Sequence, residues 1–147
     1  MKISDILSAS DVLMLEDVSS KRELLKSLAV HAAPKAGIDE RVLFDIVLER
    51  ENLGSTVIGK GAALPHGRIP GLKHTQALFA KVKGGVDFNA ADEQKSDLVF
   101  MLLSPEDSGA DHLEALAKIA GIIKNEEQCS KLRHAASTAE IYKILTK

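Results

Sequence analysis

The chain has 147 residues, with 19 basic and 21 acidic side chains, a formal net charge of −2, and 45% hydrophobic and 27% charged residues. These proportions suit one soluble domain, 1–147, with a single sizeable core. The near-neutral balance, with four Phe and one Tyr, argues against a general nucleic-acid-binding surface. One cysteine, Cys129, excludes an intrachain disulfide framework and suits the reducing cytoplasm. Met1–Asp17 contains acidic residues and no long apolar core, so no signal peptide is expected. The longest apolar run, Leu98–Leu103, is too short to enter and cross a bilayer.

Along the chain, Ser20 and Glu23 form a capping-box pattern ahead of Leu24, Leu25, Leu28 and Ala32 at helical spacing. This predicts a helix over 20–32, ended by Pro34 and Gly37. Asp39 can cap a second helix with an apolar stripe of Val42, Leu43, Ile46 and Val47 reaching Arg50, stopped by Gly54. Gly54–Gly71 then holds five glycines and two prolines in eighteen residues, which predicts a shaped loop with short extended pieces. Ala77–Val82 reads as a strand closed by Gly84-Gly85, and Leu98–Leu103 as a central strand covered on both faces. After a loop at 105–110, Asp111–Lys124 reads as an amphipathic helix with Leu113, Leu116, Ala117, Ala120 and Ile123 inward. A short helix near 126–133 follows, and Ser137 and Glu140 form a second capping box before Ile141, Ile144 and Leu145. Helices on both sides of a buried sheet in the chain order predict an α/β layered fold: a mixed, mostly parallel sheet sandwiched by helices on both faces. In such sheets, ligand chemistry gathers at the carboxyl ends of strands, here after Ile58 and after Leu103.

Two glycine-rich features compete for attention there. Gly54-Ser55-Thr56-Val57-Ile58-Gly59-Lys60 fits seven positions of a nucleotide-binding phosphate loop, but Gly61 stands where a magnesium-binding Ser or Thr is needed. Its context also fails, because it follows a helix rather than opening one. The second feature is Leu64-Pro65-His66-Gly67-Arg68. Pro65 stiffens the approach to His66, Gly67 removes a side chain beside the imidazole so that backbone or substrate can come close, and Arg68 supplies a permanent charge suited to phosphate or carboxylate oxygens. An imidazole is largely unprotonated near neutral pH and can act as a nucleophile; a solvated loop histidine is the plainer alternative. Farther along, Asp111-His112-Leu113 enters a predicted helix whose first turn has unpaired N–H groups and favours an anion. If the two loops share one end of the sheet, His112, that helix N-terminus and Arg50 could together hold a phosphoryl group on His66. His31 and His134 read as surface residues near helix C-termini, and His74 as a solvated loop residue. A zinc site from His66, His74 and His112 lacks the usual spacing and any paired cysteine, so no metal is expected. Cys129 shares a stripe with Leu132 and reads as a small buried hydrophobe.

Glu49-Arg50-Glu51-Asn52-Leu53-Gly54-Ser55-Thr56-Val57-Ile58-Gly59, then Leu64-Pro65-His66-Gly67, then Asp111-His112-Leu113, closely resemble the enzyme IIA domains of the fructose/mannitol class. These belong to the bacterial phosphoenolpyruvate-dependent phosphotransferase system. The resemblance runs over nearly the whole chain and is nearest to the nitrogen-regulatory branch, in which the domain usually stands alone. It implies that His66 accepts a phosphoryl group from an HPr-like histidine phosphocarrier protein, that His112 supports the group without carrying it, and that Arg50 lies beside the site. Ser55 and Thr56 would help to shape the pocket, and Lys60 is assigned no role. The expected protein is therefore a cytoplasmic phosphocarrier that needs no cofactor, is not inserted in a membrane, and regulates partner proteins according to its phosphorylation. The alternative is a sugar-specific component that passes phosphate to a fructose or mannitol permease. A magnesium NTPase is a third reading, of a different class.

Overall fold

The computed structural model describes residues 1–147. Six strands form one open sheet: β1 (Val12–Leu15), β2 (Val57–Gly59), β3 (Ala62–Ala63), β4 (His66–Ile69), β5 (Gln76–Val86) and β6 (Ser96–Pro105). Their order is β1-β5-β6-β3-β2, with β4 following β3 along the same edge of β6. β1 runs parallel to β5, and β3 and β4 run parallel to β6, while the two long central strands β5 and β6 pair antiparallel, as do β2 and β3. Five helices cover the sheet: α1 (Lys21–Ala36), α2 (Glu40–Leu53), α3 (Ala110–Ile123), α4 (Glu126–His134) and α5 (Thr138–Thr146).

Strand β6 explains why helices are needed on both faces. Val99, Met101 and Leu103 enter a core shared with α1 and α2, and Leu98, Phe100 and Leu102 enter a second core shared with α3, α4 and α5. Both sets are fully buried, as alternation along an apolar strand requires. Burying each such side chain stabilises the fold by about 1.5–3 kcal/mol. Phe79 of β5 and Phe100 of β6 sit in register and meet edge-to-face, with ring centroids 4.9 Å apart.

Most of the predicted helix starts hold. Ser20, Asp39 and Ser137 accept backbone N–H bonds from Glu23, from Arg41 and Val42, and from Glu140 respectively. Four expectations about element bounds and faces change. Helix α1 runs through Pro34 and ends only at Gly37, because the proline lies exposed in the last turn, where one missing N–H disturbs little. Strand β5 likewise continues through Gly84-Gly85: both have positive φ, 82° and 71°, and the ladder to β6 shifts register there, so the pair makes an irregularity within the strand rather than its end.

The other two changes rotate helices. In α2 the buried residues are Leu43, Phe44, Val47 and Glu51, and Val42 is exposed. In α3 they are His112, Ala115, Ile119 and Ile123, while Leu113 and Ala117 are turned out. In each case a polar residue that bonds inside the fold, Glu51 or His112, sets the helix phase against the local apolar pattern. The structure also contains β1, a four-residue strand that is not among the predicted elements. Cys129 is buried as expected, with Sγ donating to Ile123 O. His31 is not a helix-end residue: its Nε2 donates to Ser10 O at 2.9 Å and lies 3.2 Å from Asp11 Oδ1.

Candidate functional site

Leu64-Pro65 divides what would otherwise be one strand along β6 into β3 and β4, since proline has no N–H for the ladder. Pro65 O still accepts from Leu102 N at 3.0 Å, so the chain stays on the sheet, and His66 opens β4 opposite Leu102. His66 is therefore a strand residue rather than the loop residue the glycine-rich sequence suggests. Alternation sends Gly67 and Ile69 toward α2, and His66 and Arg68 to the face covered by α3. A Cβ on Gly67 would lie 3.2 Å from Ile46 Cγ2 and 3.7 Å from Val47 Cγ2. Its missing side chain thus lets α2 pack against β4, and the close approach is by a helix rather than by a ligand.

His66 Nδ1 lies 2.9 Å from Leu64 O. A carbonyl can only accept, so Nδ1 carries the hydrogen and the Nε2 lone pair is left free. His112, in the first turn of α3, is buried, with its ring centroid 5.8 Å from that of His66 and the planes tilted by 53°. Its Nδ1 is 2.6 Å from Ser104 Oγ. Burial, reinforced by the nearby Arg68 guanidinium and His66, holds the His112 imidazole below its ordinary pKa and keeps the ring neutral.

Arg50, in the last turn of α2, donates to Gly54 O at 3.0 Å and lines the same cleft as His66. The cleft has a volume of about 340 Å³ and an apolar wall that includes Val57, Ile58, Leu64 and Leu116. A larger hollow of about 580 Å³ near the chain termini is bordered by Lys2, Lys118 and Lys147 and holds no histidine. Chemistry, not size, singles out the histidine cleft.

The remaining predicted residues have distinct places. Arg68 is exposed and donates to Ser108 O, tying β4 to the loop before α3. Ser55 donates to Phe88 O at 2.6 Å, so its hydroxyl proton is committed to the scaffold. Thr56 borders the cleft, but its hydroxyl and N–H both donate to Glu51, at 2.7 and 3.2 Å. Glu51 is 3% exposed and also meets Lys21 Nζ at 3.5 Å; it fixes the cleft wall and was missed in the sequence. The signal was an acid one turn after Val47. Ser104 was missed too, although it continues the alternation Leu98, Phe100, Leu102 onto the face of α3. The phosphate-loop look-alike forms β2 and the turn into β3, with Lys60 paired to Glu126.

Comparison with known proteins gives the family. Residues 5–147 match the family described as "Phosphoenolpyruvate-dependent sugar phosphotransferase system, EIIA 2". The chain is 42% identical over 145 residues to a nitrogen regulatory protein of Bradyrhizobium diazoefficiens, covering 99% of this chain and 95% of that one. It superposes on the crystal structure of nitrogen regulatory protein IIA-Ntr from Neisseria meningitidis with a TM-score of 0.92 and 34% identity, over 98% and 99% of the two chains. The fold is also that of IIA mannitol from Escherichia coli, with a TM-score of 0.78, 19% identity, and 94% and 97% coverage. No helix is long and apolar enough to cross a membrane.

Proposed function

Because the chain belongs to the phosphoenolpyruvate-dependent sugar phosphotransferase system EIIA 2 family, we propose that it is a phosphocarrier of the nitrogen-related system that takes a phosphoryl group on His66 Nε2 from an HPr-like histidine phosphocarrier protein. The observation that carries this reading is the Nδ1–H bond to Leu64 O, which leaves Nε2 as the free nucleophile, beside the His112 ring and in a cleft that Arg50 also lines. In the transfer, the Nε2 lone pair attacks phosphorus in line. The phosphorus–nitrogen bond to the donor histidine breaks, and its electron pair returns to the donor nitrogen. Such a reaction depends mainly on positioning and on offsetting charge at the phosphoryl oxygens. In this reading Arg50, His112 and the first-turn N–H groups of α3 take that task; Gly109, the N-cap of α3, has no side chain to occupy those N–H groups. Gly67 acts by letting α2 pack against β4, the buried Thr56 by forming part of the cleft wall, and Arg68 by anchoring β4 and adding positive charge.

The regulatory assignment rests on the extent of similarity to nitrogen regulatory proteins, which covers nearly the whole chain at 42% identity, against 19% for the mannitol component. Transfer adds nearly two negative charges to an apolar-walled cleft, enough to change which protein surfaces dock there. The reading places the protein in the cytoplasm, where such partners are found. Incubation with phosphoenolpyruvate, enzyme I and a histidine phosphocarrier protein should yield an acid-labile, base-stable phosphoprotein, and His66→Ala should take up none. Equal labelling of His66→Ala and wild type would overturn the site.

A further inference from the structure

Ser104 lies next to the C-terminal end of β6, is fully buried, and sits on the side of the sheet covered by α3. Its hydroxyl makes one hydrogen bond, to His112 Nδ1 at 2.6 Å. A hydroxyl can donate or accept, so two arrangements fit that distance. If Nδ1–H donated to Oγ, the proton of the fully buried serine would have no acceptor in the fold, a costly arrangement. If Ser104 donates to Nδ1, both groups are satisfied, and the single hydrogen of the neutral ring must sit on Nε2.

We propose that Ser104 is a positioning residue that locks His112 in the Nε2–H tautomer, opposite to the Nδ1–H tautomer that Leu64 O imposes on His66. The two rings, 5.8 Å apart, then present unlike edges. His66 offers a lone pair to phosphorus, while His112 offers an N–H to a phosphoryl oxygen. The same tautomer deprives His112 Nε2 of the lone pair needed to attack, so of two neighbouring histidines only one is a nucleophile. Burial and the Arg68 guanidinium, which hold His112 neutral, support this division because a doubly protonated ring would need no serine to choose for it. The kinetic consequence rests on the proposed transfer to His66; the tautomer itself does not.

The test uses the full-length, ¹⁵N-labelled chain. Long-range ¹H–¹⁵N spectra of the histidine rings at mildly alkaline pH should show His112 protonated on Nε2 and His66 on Nδ1. Ser104→Ala should draw the two His112 ring nitrogens toward a common averaged shift and leave those of His66 in place, and Ser104→Thr, which keeps the hydroxyl, should restore the wild-type pattern. In rapid-mixing experiments with the phosphorylated carrier protein, Ser104→Ala should slow transfer at saturating donor by at least about tenfold, with the half-saturating donor concentration unchanged. An Nδ1–H tautomer for wild-type His112, or a Ser104→Ala spectrum with His112 unmoved, would overturn the proposal. The wild-type spectrum decides the tautomer even if a variant folds poorly. Absence of any uptake by wild type would instead count against the phosphocarrier reading and leave the tautomer measurement standing.

Discussion

At the N-terminal end of β6, Asp97 accepts from Arg133 Nε and Nη2 at 2.9–3.1 Å, and Arg133 Nη2 also donates to Lys60 O. At the C-terminal end of the same strand stand Ser104, His112 and His66. Both are polar clusters between the sheet and the α3–α4 layer, but they are wired differently. The first matches a full charge to a full charge and holds the turn between β2 and β3 against α4. The second satisfies only the Nδ1 side of each ring and leaves the two Nε2 atoms without a partner in the fold. A polar group whose partners are all within the fold is architecture; one held on one side and open on the other is available for chemistry.

That contrast can be broken from either end. The largest effect is expected from His66→Gln, which should abolish phosphoryl uptake in the carrier assay while shifting the thermal midpoint by no more than a few degrees, since His66 is only half-buried. At the other end, Asp97→Asn should lower stability by about 1–2 kcal/mol in urea titrations, a modest figure because a third of each side chain is exposed. Uptake by that variant should match wild type; a tenfold loss would mean that the two ends are coupled. Gly67→Ala should cost about 1 kcal/mol, because Ile46 stands in the way of the new methyl, and should slow uptake by moving β4 slightly.

The smallest effect concerns pH. His112 is held below its ordinary value in the fold, chiefly by burial, so on acidification the unfolded chain takes up its proton first. The His112 contribution is therefore present above about pH 6.5 and is lost as pH falls through the lower folded value. Stability measured between pH 7.5 and 5 should fall toward acid less steeply in His112→Gln than in wild type. An unchanged slope would show that other groups account for the acid dependence.

Much of this was legible beforehand for identifiable reasons. Ser20, Asp39 and Ser137 announced helix starts because capping is a local bond between residues two or three apart. The run Leu98–Leu103 announced a strand covered on both faces because no single-faced element is apolar at every position. Leu64-Pro65-His66-Gly67 identified the segment, yet its four glycine and proline neighbours concealed that His66 begins a strand. Glycine density reports backbone freedom, and here the parallel ladder to β6 overrides it. The inward stripes of α2 and α3 held at Leu43, Val47 and Ile123 but missed Glu51 and His112, polar residues with buried partners, Thr56 and Ser104. Hydropathy places such residues outside.

The sequence by itself therefore determined the candidate-site segment, the central strand and the family, since each depends on residue type at short spacing. Only the tertiary structure decided that Leu64 O faces His66 Nδ1, that Arg68 stands opposite Ser104 in the ladder, and that Ser104 meets His112. Those relations depend on how the break at Pro65 lets Leu64 O meet the His66 ring and how α3 is rotated over β6. Neither leaves a local signature, because a hydrogen bond between distant elements costs or stabilises only once the register and phase that align its partners exist.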